Sequence, residues 1–224
     1  MNQVQYRTQV AQPISALEVN KVLRNTYALL SMTLLFSAVM AGVSMANNWP
    51  HPGIVITLVG YFGLLFLTTK LRNSGWGILS VFALTGFMGA TIGPILNLYL
   101  YRFGNGSEII MMALGGTGVI FLAMSGLALT TKRDFSFMGK FLMIGILVAF
   151  FAGIANIFLG IPALGLAVSS MFVMLMAGLI LFQTQQIVQG GETNYIMATV
   201  TLFVSLFNLF TSLLHLLGMG FGED

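Results

Sequence analysis

The chain has 224 residues, of which 57% are hydrophobic and only 7% charged, and its mean hydropathy is +0.93. Charged residues make up roughly a quarter of an ordinary soluble domain, so a water-covered globule is excluded and the surplus apolar surface must face lipid. The net charge of +3 does not signal a nucleic-acid partner, because the Lys and Arg residues sit in loops and the N-terminal tail, and the absence of cysteine excludes a disulfide framework, a thiolate nucleophile and a cysteine metal site.

Residues 1–26 are polar, with Arg7, Glu18, Lys21 and Arg24, and read as a cytoplasmic tail with an amphipathic turn near residues 16–24. The first apolar run covers residues 27–46 and ends in Ser44-Met45-Ala46, which resembles a signal-peptidase site. A signal core is only about 7–15 residues long, so this run is expected to be a first span. Further spans are predicted at 54–69, 76–98, 109–131, 141–159, 163–187 and 195–217, since about 20 apolar residues cross the hydrocarbon core. The breaks carry the turn residues and charges, such as Asn47-Asn48-Trp49-Pro50 and Gly160-Ile161-Pro162. The second of these is short enough to make spans five and six an antiparallel hairpin. The expected organisation is a tail (1–26), a seven-helix transmembrane domain (27–217) and a short periplasmic C-terminus (218–224).

Charge asymmetry fixes an expected orientation. With the tail in the cytosol, that side also receives Lys70, Arg72, Lys132, Arg133 and Lys140, and of the nine Lys and Arg only Arg102 falls on the other side. Glycines within the spans, notably Gly86, Gly89 and Gly93 on the third and Gly115, Gly116 and Gly118 on the fourth, allow close helix approach in lipid.

An ionisable group inside a membrane is a functional candidate by default. No Asp, Glu, Lys or Arg lies in the middle of a predicted span. That disfavours a charge relay and a mid-membrane calcium or other divalent site, which wants several oxygen ligands, usually with carboxylates among them. No metal site is expected. The remaining polarity gathers on the last span: Thr201, Ser205, Asn208, Ser212 and His215 recur every three or four residues, which is one helical face. Such a stripe should turn into the bundle and make the seventh helix central. It reads either as interhelical hydrogen bonding or as a polar pathway, with Asn156, Gln183, Gln185 and Gln186 as possible partners. His215 is the one histidine in a span; a hydrogen-bonding role competes with a pH-sensing one. His51, between Pro50 and Pro52, reads as a loop residue. Catalysis has a single weak candidate: Ser125 in Ala123-Met124-Ser125-Gly126, with His215 as base, is superficially similar to a rhomboid-type nucleophile, although rhomboids carry Gly where Ala123 stands. No catalytic residue is assigned.

Thr85-Gly86-Phe87-Met88-Gly89-Ala90-Thr91-Ile92-Gly93-Pro94-Ile95-Leu96, Ala113-Leu114-Gly115-Gly116-Thr117 and Thr131-Lys132-Arg133-Asp134-Phe135-Ser136 resemble the signature segments of the Bax inhibitor (transmembrane BAX inhibitor motif) family. Lys21-Val22-Leu23-Arg24-Asn25-Thr26-Tyr27 and Gly190-Gly191-Glu192-Thr193-Asn194-Tyr195-Ile196 are similar to its Gram-negative inner-membrane branch. The resemblance runs from about residue 20 to the end. It implies a seven-helix fold with a central last helix and, for that branch, binding to the membrane-anchored, ATP-dependent FtsH protease, which such proteins restrain as slowly degraded substrates. Other members are pH-sensitive calcium leaks that use two facing aspartates. By the resemblance those positions fall on Gln183 and Ser205, which cannot ionise, so a calcium leak of that kind is disfavoured.

Overall fold

The computed structural model describes residues 16–131 and 133–221. They form seven helices: α1 (Ala16–Ala46), α2 (Ile54–Leu71), α3 (Trp76–Arg102), α4 (Gly106–Thr130), α5 (Met138–Leu159), α6 (Pro162–Val188) and α7 (Tyr195–Phe221). Each is long and apolar enough to cross a membrane, and the chain is a multi-pass membrane protein. Every apolar run read from the sequence coincides with one helix, give or take about a turn at the ends. The exception in length is α1, which begins at Ala16 and carries the polar stretch with Lys21 and Arg24 as helix. Those residues are good helix formers, and Glu18 sits in the first turn, where a negative charge suits the helix dipole. Most of the expected N-terminal tail, residues 1–15, lies outside the described residues, as do the last three residues of the chain.

Helix ends follow the local chemistry. Gly160 closes α5 in the left-handed region (φ 61°), which glycine adopts without a Cβ penalty, and Pro162 opens α6 at a position where its missing N–H costs nothing. Asn194 caps α7 by accepting the Met197 N–H at 3.0 Å. Its amide also donates to the Arg72 carbonyl and to Asn73, tying the α6–α7 turn to the α2–α3 loop. Gln185, buried near the end of α6, accepts the Phe135 N–H at 2.8 Å and donates to the Arg133 carbonyl, which ties in the α4–α5 loop. At the opposite end Asn105 donates to the Phe221 carbonyl at 2.7 Å. The three even-to-odd loops are thus gathered at one end, as alternating spans require.

Helix α7 is the hub, packing against α1, α3, α4 and α6, whereas α2 leans on α3 and α5 on α6. The core cluster joins Leu30, Leu84, Ile180, Phe203 and Leu209 from four helices. The tightest joint is α1 against α3. A Cβ at Gly89 would collide with the Ser37 carbonyl, and one at Gly93 would lie 2.7 Å from the Ser44 Cβ. Close packing of this kind replaces the hydrophobic drive that lipid removes. On α4 the outcome differs: Gly115 and Gly118 face open space and only Gly116 approaches a neighbour, Leu213 of α7.

Candidate functional site

The face of α7 that carries the polar stripe is turned into the bundle to differing depths. Ser205 and Ser212 are buried, while Thr201, Asn208 and His215 are half-buried. Two of the five spend their hydrogen-bonding capacity on α7 itself. The Ser205 hydroxyl donates to the Thr201 carbonyl at 2.7 Å and the Asn208 amide to the Val204 carbonyl at 2.8 Å. Bonds of this kind satisfy a polar side chain in lipid without a partner helix. Among the described residues only His215 reaches across, its Nδ1 lying 2.8 Å from the Ser169 Oγ of α6.

Of the partners the sequence offered, none bonds to the stripe among the described residues. Asn156 accepts the Ile161 N–H at 3.1 Å and so shapes the α5–α6 turn. The Gln186 backbone carbonyl accepts Gly191 and Glu192 N–H groups and closes α6. Gln183 is buried with its amide nitrogen unpartnered. Gln185 is the glutamine with a defined task, and that task lies in a loop. The partner missed by sequence reasoning is Ser169, although a signal existed. Ser169 and His215 lie equally far from Glu192 in the α6–α7 turn, and an antiparallel pair places such residues level. Gln183 and Thr201 are related in the same way.

A second polar layer lies nearer the other end of α7. The Tyr27 hydroxyl is 3.2 Å from Thr184 Oγ1, and Thr199 donates to the Thr26 carbonyl at 3.3 Å and to the Tyr195 carbonyl at 2.7 Å. Thr26 Oγ1, Ser125 Oγ and Gln183 Nε2 are buried without a partner among the described residues. All of these groups are neutral. Neither Gln183 nor Ser205 supplies a charge, and the Ser205 hydroxyl proton is already committed to its own helix. Among the described residues no three His, Asp or Glu side chains converge as metal ligands.

The Ser125–His215 pair does not assemble. Ile109 near the start of α4 packs with Leu214 next to His215, and Ser125 lies sixteen residues further along α4, roughly 24 Å along the axis. A nucleophile and its base must be within hydrogen-bond reach, and these stand towards opposite ends of the bundle.

The exposed α4–α5 loop holds the clearest electrostatic feature. Asp134 accepts both the N–H (2.8 Å) and the hydroxyl of Ser136, and these bonds hold its carboxyl below the usual carboxylate range.

Comparison with known proteins places these features. The chain is 54% identical over 204 residues to "Modulator of FtsH protease YccA" of Escherichia coli K12, covering 91% of this chain and 92% of that one. The same identity and coverage relate it to "Inner membrane protein YccA" of E. coli O6:H1. An uncharacterized protein of Pseudomonas aeruginosa is 49% identical over 92% of this chain and 93% of its own. A family model described as "Inhibitor of apoptosis-promoting Bax1" matches residues 19–222, and the chain, a bundle of seven helices with α7 at its centre, belongs to that family.

Proposed function

We propose that this protein is a non-catalytic modulator of an FtsH-type protease in the bacterial inner membrane, with its N-terminal tail and the loops after α2, α4 and α6 in the cytosol. The observation that carries the reading is the 54% identity, over nearly the full length of both chains, to a protein called a modulator of FtsH. The basic loops that Asn194 and Gln185 hold at one end of the bundle support the orientation.

The fold offers a physical basis for restraining an ATP-driven protease. The polar stretch ahead of α1, residues 1–15, is a suitable handle for an unfoldase. Pulling on it loads α1, which is fastened along its length: by Tyr27 to Thr184, by Thr26 to Thr199, by the glycine face of α3, and by Ser44 and Met45 to α3. A substrate that is engaged readily but extracted slowly occupies the protease. The test is degradation of a model membrane substrate by purified FtsH, with and without this protein in the same proteoliposomes. Slower degradation in its presence, relieved by deleting residues 1–15, is the expected result. Equal rates would end this reading. Orientation is tested separately by a single cysteine appended after Asp224, which should react with an impermeant maleimide added from the periplasmic side, since the native chain has no thiol.

A further inference from the structure

Between α1 and α4 the bundle is open. A cleft of about 490 Å³ runs between the two helices, with α3 and α7 as its floor. One wall runs from Leu34 to Met45 of α1 and the other from Ile110 to Phe121 of α4. The Phe121 ring meets Tyr27 of α1 at 5.9 Å between centroids, which closes the cleft at one end. The other end points towards the α1–α2 and α3–α4 loops.

We propose that this cleft is a binding site for one phospholipid acyl chain, drawn from the leaflet on the α1–α2 loop side, which brings lipid into contact with the central helix α7. Each wall advances eleven residues, roughly 16 Å at 1.5 Å per residue. Half of a ~30 Å hydrocarbon core is about 15 Å, so the cleft has the depth of one leaflet. Its chemistry is that of a hydrocarbon site. The lining polar side chains are only Ser37 and Thr117, and the Thr117 hydroxyl is spent on the Ala113 carbonyl.

Acyl chains are the solvent of this bundle, so a lipid chain is the occupant at hand for an apolar cleft that opens to the lipid. An acyl chain is thin enough to enter along the whole length. The cleft is also continuous with the lipid-facing surface, where Leu114 on its rim and Leu122 two turns beyond are exposed. Both walls carry a glycine that faces empty space, Gly42 and Gly118, at which a Cβ would meet nothing within 4 Å. The width of the cleft therefore rests on the absence of two side chains. This inference does not depend on the protease reading.

The test uses tryptophan quenching by brominated acyl chains in liposomes. Trp49 and Trp76, both exposed, are replaced by Phe, and one reporter is placed in the floor as Phe207→Trp. A second reporter, Leu122→Trp, sits on the outer face of α4, where Leu122 is 70% exposed. Expected is quenching at 207 to the same fraction as at 122, and its loss at 207 alone when Gly42→Leu and Gly118→Leu fill the cleft. Should Phe207→Trp fail to fold, Phe210→Trp on the same floor reads the same contact. Full quenching at 122 with none at 207 would overturn the proposal, as a cleft that has collapsed or is covered by another helix would give. Quenching at 207 that persists in the filled variants would overturn it as well.

Discussion

Pro94 in the middle of α3 has no N–H to give the Ala90 carbonyl one turn back, and a bare carbonyl in hydrocarbon is costly. Ser44 of α1 supplies the missing donor at 2.8 Å. A defect in one helix thereby becomes a specific bond to another, at the point where Gly93 lets the two backbones approach. Ser44→Ala should destabilise the bundle by about 0.6 kcal/mol, and at most ~1.7, the range for interhelical bonds in membranes. In a Pro94→Ala background the helix satisfies its own carbonyl and the same change should cost less. Unfolding in a dodecyl sulfate titration of the four variants measures the coupling, and additive effects would show that the bond is incidental. Asp134 offers a pH-dependent counterpart in the exposed loop. Folding lowers its pKa, so its bonds to Ser136 favour the ordered loop above the ordinary carboxyl value of 3.8 and are lost as pH falls through the lower, folded-state value. The protection of the Ser136 amide, taken against its intrinsic exchange rate at each pH, should fall in that acid window, and Asp134→Asn, which keeps an acceptor but cannot titrate, should make that protection independent of pH.

At the scale of elements, two side chains hold the ends that bring the loops together. Gln185 replaces backbone partners for both Phe135 and Arg133, so Gln185→Leu takes the partner from a half-buried N–H and from a carbonyl. Hydrogen exchange across residues 133–137 should accelerate while the middle of α4 stays protected; unchanged exchange in the loop would deny Gln185 its clamp. What the sequence made legible at this scale follows from the physics of the solvent. Lipid demands uninterrupted apolar helices, so run lengths and turn residues locate all seven with little ambiguity. The one-sided polarity of Thr201 to His215 likewise announces an inward face. Partner identity was less legible, because a hydroxyl or amide in a helix can satisfy itself on the preceding turn, as Ser205 and Asn208 do. Periodicity reports a face and leaves open whether the face bonds outward or to itself. Only antiparallel register, which pairs Ser169 with His215, narrows the choice. The α4 glycines show the same limit: like the α3 glycines they are small residues within a span, yet Gly89 touches a backbone and Gly118 borders a cleft.

For the whole molecule, the decisive asymmetry is between a hub and a handle. Helix α7 is surrounded by four others, but α1 is the helix next to the tail, and it is joined most closely to α3. If a protease pulls from the N-terminus, separation of α1 from α3 precedes loss of the core, so the strength of that joint should set the extraction rate. Gly89→Leu tests this directly, because its side chain would be driven into the Ser37 backbone. Overpacking of this kind costs typically ~1–3 kcal/mol. Were all of that expressed in the barrier, extraction would accelerate about tenfold for each ~1.4 kcal/mol, an upper bound because ATP-driven pulling does part of the work. Gly126→Leu is the matched control, since a Cβ there meets nothing within 4 Å and the new side chain enters lipid. Pulse-chase degradation by FtsH should be faster for Gly89→Leu than for either the native chain or Gly126→Leu, and its restraint of a second substrate should weaken in parallel. If Gly89→Leu is measurably destabilised in dodecyl sulfate yet degraded at the native rate, the α1–α3 joint is not the step that resists extraction, and resistance must be sought in the packing around α7.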